Sequence, residues 1–171
     1  MAGKRTRDTE RKLLAELLKN SKKSDRELAR VLGVSQPTVS RVRVKLETKK
    51  LIQQYTVIPD LVEMGFELLA ISTFRTSESK EIEKRSIQWT NAKPNVFFAA
   101  RVDGMGKNGM MISLHKNYTD YADFIREVKI EGEGIITDSD SLLISLKGFI
   151  AKPFSLKYLA ELLETQEGSD A

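Results

Sequence analysis

No cysteine occurs among the 171 residues, which excludes disulfides and thiolate metal sites and suits a reducing cytoplasm. Histidine is nearly absent too. His115 stands alone, with no Cys/His cluster and no paired carboxylates in a glycine-punctuated pocket, so neither a metal, a cofactor nor catalysis is expected. No apolar run approaches the ~20 residues of a membrane span, and the basic N-terminus is not followed by the apolar core of a signal peptide. The expectation is a soluble cytoplasmic protein with no membrane partner.

The length allows one domain or two small ones. Charge divides the chain more sharply than composition does. Residues 1–60 hold 15 Lys+Arg against 7 Asp+Glu, whereas residues 61–171 hold 13 against 17. The N-terminal part would be steered onto a polyanion and the acidic remainder would stand away from it.

The basic part carries the most informative stretch, Ser24 to Ile52. Ser24-Asp25-Arg26-Glu27 fits the S-x-x-E capping box, which predicts a helix start. Leu28, Ala29 and Leu32 follow at the spacing of a buried stripe, and Gly33 can take the positive φ that ends a helix at little cost. Ser35 then caps a second helix, whose first turn tolerates Pro37 because an N–H there has no intrahelical partner. Val39, Val42 and Leu46 share its inner face. Gln36, Thr38, Ser40, Arg41 and Lys45 are left outward, with Arg43 at the margin.

These are amide, guanidinium, hydroxyl and ammonium groups, the types that reach base edges and phosphates in a major groove. Near the second helix's N-terminus no outward position is acidic, as phosphate repulsion requires. The predicted DNA-contacting set is therefore Ser35, Gln36, Pro37, Thr38, Ser40, Arg41, Arg43 and Lys45. A plain three-helix bundle with a solvated basic face is the competing explanation.

Before this motif, Met1 to Arg7 reads as a basic arm able to touch phosphate or a minor groove, and Asp8 or Thr9 as the cap of a first helix with a stripe at Leu13, Leu14, Leu17 and Leu18. After it, residues 53–65 read as a strand-like linker, punctuated by Pro59 and Gly65. Residues 66–147 then give strand, helix, strand, strand, helix, strand. The hairpin closes at Asp103 to Asn108, and the last strand runs from Ile135 to Leu146. The fold class is thus α+β. A trihelical domain over 1–52 is joined by the linker to a four-stranded antiparallel sheet of the ferredoxin-like βαββαβ type, and residues 148–171 form a C-terminal helical tail.

Both faces of the predicted sheet carry apolar residues: Leu69 and Ile71 point opposite to Leu68 and Ala70, and Phe98 opposite to Phe97. An apolar face open to water calls for a cover. A second subunit is the expected one, since a helix-turn-helix reads paired half-sites through a two-fold partner. The alternative is the tail helix, Phe154 to Glu164, folding back over it.

Taken together, Asp8, Glu27-Leu28-Ala29, Gly33-Val34-Ser35, Val39, Arg41-Val42, Leu46-Glu47, Leu51-Ile52, Tyr55 and Gly65 resemble the leucine-responsive regulator (Lrp/AsnC) family over most of the chain. The resemblance implies a transcription regulator of double-stranded DNA. Its C-terminal domain would form a homodimer, and an amino acid or other small effector would bind where dimers meet in a larger ring. It implies, too, that the connector around Tyr55 pairs with its dimer mate. Effector-binding positions implied in this way are Gly104, Met105, Gly106, Lys107 and Asn108 in the hairpin, and Thr137, Asp138 and Ser139 at the entry to the last strand. Two departures stand out: the family's Gly-x-Tyr-Asp run is missing after Gly104, and the tail from Phe149 is longer than usual.

The glycines of that hairpin do not form a phosphate loop, because no Gly-Lys-Ser/Thr opens a helix there. Two other functions compete with sequence-specific regulation. One is architectural coating of DNA without sequence choice; the other is tetrapyrrole chemistry like that of the siroheme decarboxylases, which look similar in domain plan but want histidine and arginine converging on propionates.

Overall fold

The computed structural model describes residues 2–165, with side chains from Asp8 onward. By compactness it forms two units, one of Met1–Ile58 with Lys152–Ala171, the other of Pro59–Ala151. Among the described residues no helix is long and apolar enough to cross a membrane.

In the first unit α1 spans Ala2–Lys19, α2 Asp25–Leu32 and α3 Gln36–Thr48. Leu13, Leu17, Leu28, Val39, Val42 and Leu46 close its core. The local signals act as their chemistry dictates. Ser24 and Glu27 form the reciprocal capping box, with the Ser24 N–H donating to Glu27 Oε2 at 2.7 Å, and Gly33 ends α2 at φ 64°. Ser35 caps α3 by accepting from the Thr38 N–H at 3.3 Å.

The first helix corrects the sequence reading. It begins at Ala2, so most of the expected arm is helical, and neither Asp8 nor Thr9 is a cap. No proline interrupts the segment, and Asp8 sits inside the helix bound to Lys12 at 3.0 Å and Arg11 at 3.3 Å, the i+4 and i+3 pairs a helix surface favours. What the arm's own side chains touch lies outside the described residues.

The linker is a second correction. Residues 53–60 have no ladder partner among the described residues and form no strand, while residues 61–65 are turn. Backbone becomes strand only through pairing. The tail, for its part, resolves into a 3-10 turn at Leu156–Tyr158 and α6 at Leu159–Thr165. This short helix packs on α1: Ala160 is fully buried and Lys19 pairs with Glu164.

The second unit is the four-stranded antiparallel sheet β1 (Leu68–Thr76), β2 (Val96–Gly104), β3 (Lys107–His115) and β4 (Ile136–Ser145), in the order β2-β3-β1-β4, with α4 (Lys80–Asn91) and α5 (Tyr118–Glu131) between strands. This is the ferredoxin-like arrangement. Its core, Phe74, Met111, Phe124 and Val128, sits between the sheet and α5. The hairpin turn is tighter than the glycines suggested: Met105 and Gly106 turn the chain at φ 53° and 71°, so Lys107 and Asn108 belong to β3 rather than to the loop.

Register explains the two-sided apolar pattern. Ala70 pairs with Ser113 and Ser72 with Met111 on the helix-covered face, which places Leu69, Ile71, Ile112 and Leu142 on the opposite one. There Leu142 is 70% and Phe98 48% exposed. The tail helix is committed to α1.

Candidate nucleic-acid interface

The second helix of the motif presents its residues in two distinct ways. Gln36, Pro37 and Arg41 are exposed, and among the described residues no ion pair or side-chain hydrogen bond holds Gln36 or Arg41. Ser35 and Thr38 are occupied in capping, their hydroxyls 2.8 Å apart. Ser40, Arg43 and Lys45 are tethered. Ser40 Oγ donates to Asp25 Oδ2 at 2.5 Å, and Arg43 donates to Asp25 Oδ1 through Nε at 2.9 Å and Nη2 at 2.6 Å. Lys45 pairs with Glu10 of α1, which Lys49 also approaches at 3.5 Å.

Each tether has an electrostatic signature. The Ser40 hydroxyl, followed by Arg43, holds the Asp25 carboxyl below its ordinary range, against the opposing effect of burial. The ammonium groups of Lys45 and then Lys49 do the same for Glu10, which is 8% exposed. Tyr55 completes the set, accepting from Arg43 Nη1 at 3.2 Å and donating to Glu47 at 2.8 Å. Asp25, Glu10 and Tyr55 therefore position the helix, and sequence reading missed all three. Asp25 reads locally only as a first-turn acid suited to the helix dipole.

The positions expected for an effector meet around the end of β1. Arg75 Nη1 donates to the Gly106 carbonyl at 3.1 Å, and Thr137 Oγ1 to the Arg75 carbonyl at 3.2 Å. Lys107 bridges Asp138 and Asp140, the latter at 2.7 Å, which raises the lysine's affinity for its proton and lowers that of Asp138. Asn108 locks onto β1, accepting from the Thr76 N–H and donating to the Thr76 carbonyl, both at 2.8 Å. Gly104 and Met105 project at the tip, Met105 98% exposed, and Ser139 lies half-buried opposite Phe74.

Residues 8–47 match the AsnC-type helix-turn-helix domain. That segment is an AsnC-type helix-turn-helix domain. An uncharacterised HTH-type transcriptional regulator of Pyrococcus furiosus is 37% identical over 79 residues, 45% of this chain and 53% of that relative, so the match spans about half the relative's length. Among solved structures, an AsnC family transcriptional regulator from Agrobacterium tumefaciens is similar over 88% of this chain and 97% of its own, with TM-score 0.74 and 22% identity. LrpC of B. subtilis is similar over 84% and 96%, with TM-score 0.68 and 25% identity. A transcriptional regulator from Neisseria meningitidis, solved as an L-Met complex, is similar over 88% and 97%, with TM-score 0.74 and 16% identity. The domain match and the structural neighbours together give an AsnC-type helix-turn-helix followed by an α+β unit with the fold of these regulators.

Proposed function

We propose that the protein regulates transcription by reading paired half-sites in duplex DNA as a homodimer. The observation that carries this is the division of labour on α3, where tethered cations fix the helix and Gln36 and Arg41 stay free at its exposed N-terminal half. An amide and a guanidinium are the side chains suited to bidentate contact with adenine and guanine. Ser35, Pro37 and Thr38 would lie along the backbone, and Ser40, Arg43 and Lys45 would contribute field rather than direct contact.

The open sheet face supports the dimer. Leu69, Ile71, Phe98, Ile112 and Leu142 form an apolar surface that a second copy would remove from water. The junction of the hairpin, Gly104 to Asn108, with Thr137, Asp138 and Ser139 is the proposed seat of a small effector. Amino acids are the class suggested by the L-Met complex of the Neisseria regulator. Larger assemblies of dimers belong to the same proposal, as does a cytoplasmic location.

The test is selection of bound fragments from genomic DNA with and without an amino-acid pool, followed by comparison of the selected sequence with random duplex across a salt series. A large affinity ratio that survives added salt is expected; a ratio near one would mean architectural coating instead.

A further inference from the structure

We propose that the second unit holds a ligand site beneath α4, suited to a small molecule with an apolar body and a single carboxylate. A cleft of about 660 Å³ opens there between α4 and the sheet, within the range of about 300–1,000 Å³ usual for small-molecule sites. It shares only Asn108 with the proposed effector seat and does not depend on the DNA-binding reading.

The cleft has a cause in the sequence. On the helix-facing side of the sheet, Ala99 stands opposite Met111, and Gly109 opposite both Phe74 and Arg101. Small residues there leave most of α4 thinly supported: Trp89 near its end packs against the core, 5.9 Å from the Phe124 ring, and Ile82 turns inward, but of its twelve residues none is fully buried. A Cβ added at Gly109 would meet no atom within 4 Å. Phe74 and Met111 thus form an apolar floor, and Ile82, Trp89, Ile135 and Ile136 form walls that are only half-buried. A well-packed core leaves no such space, so an apolar guest would recover the burial that the walls forgo.

The charged groups at the rim select the guest's polar end. Arg101 is matched by Glu78 at 3.2 Å, and Glu131 by Lys93 at 3.6 Å. Lys80 and Glu83, of opposite sign, sit in the first two turns of α4. Among the described residues neither Lys80 nor Arg85 has a carboxylate partner, and Arg85 differs in reaching from α4 to the far wall, where Nη2 donates to the Glu131 carbonyl at 3.0 Å. Its remaining N–H groups suit a carboxylate in the forked geometry guanidinium favours.

Trp89 is the chain's only tryptophan and lines the cleft, so its fluorescence reports on the site without labelling. Full-length protein, free of DNA, would be titrated with octanoate, with 1-octanol as an uncharged match and with L-Met. Octanoate should change the emission saturably in the millimolar range or below, and Arg85→Gln should weaken it about tenfold while leaving 1-octanol unaltered. Gly109→Val, which fills the floor at a position with ordinary strand geometry, should abolish both responses with the thermal melt retained. Ala99→Leu repeats that test from the neighbouring strand. No saturable octanoate response, an unchanged response in the folded filling variants, or equal binding of octanoate and 1-octanol regardless of Arg85 would each overturn the proposal. So would L-Met quenching the indole at lower concentration than octanoate. Since no DNA is present, loss of operator binding cannot produce any of these outcomes.

Discussion

Arg43 grips Asp25 with two nitrogens, at 2.9 and 2.6 Å, so the best-placed guanidinium on the inner side of α3 is bound to α2. The pair is part-buried, with side chains 19% and 23% exposed, and Ser40 shares the same carboxylate. A cation held in this way orients α3. It is not free to follow a phosphate.

Asp25→Ala should therefore lower stability by about 1–2 kcal/mol, because it strands Arg43 and Ser40 without their shared acceptor. Urea denaturation measures this. Since the Asp25 carboxyl is held below its unfolded range, its stabilisation is present above the unfolded pKa and fades as pH falls through the lower folded one. The difference between wild type and variant should shrink only in acid. A constant difference down to the lowest pH would point to packing instead.

Arg41→Ala should weaken operator binding by ~1–3 kcal/mol and relax the sequence preference, with no loss of stability, because among the described residues this side chain has no bonding partner. Lys45→Ala should do the reverse, lowering the melting temperature by freeing Glu10 and changing affinity equally for all sequences. Binding isotherms and thermal melts on both variants separate the two roles. Equal loss of sequence preference in both would remove the distinction.

Leu142→Asp, on the open sheet face, should release monomers of 19.3 kDa in sedimentation while the far-UV spectrum is kept. The DNA affinity of that variant should fall along with its dimerisation. A variant that stays dimeric would place the two-fold contact elsewhere.

His115 should make stability depend on pH near neutrality. It is fully buried, bonded through Nε2 to Ser113 Oγ at 2.8 Å, with Asp120 3.5 Å from Nδ1 and the rings of Tyr121 and Phe124 against it. Burial lowers its pKa, partly opposed by Asp120. The unfolded chain then takes up a proton that the folded one refuses, so stability is full above about 6.5 and declines as pH drops below it. As this is the sole histidine, its imidazole resonance titrates without overlap. A midpoint above the free value would reverse the sign and refute the argument.

The helix-turn-helix was readable in the chain because its signals are local. Ser24 with Glu27, Gly33, and Ser35 with Thr38 act within a few residues of one another, and their geometry follows from side-chain type and spacing. The start of α1 was misread for a related reason: Asp8 has the chemistry of a cap, and two bases one turn on, at Lys12 and Arg11, turned it into a helix-surface residue. The strand order, too, followed from the alternation of elements, but the shape of the hairpin did not, since Lys107 and Asn108 join β3 through partners on β4 and β1.

Periodicity, capping and charge distribution were thus enough to specify an α+β chain with a basic helix-turn-helix. Folding alone settled which cations are tethered. Arg43 meets its acid 18 residues away, Lys49 39 away and Lys107 31 away, and no pattern along the chain encodes such meetings. The cleft under α4 has the same origin: Ala99 and Gly109 are ordinary strand residues until register sets them on neighbouring strands beneath a helix that their small size leaves thinly supported.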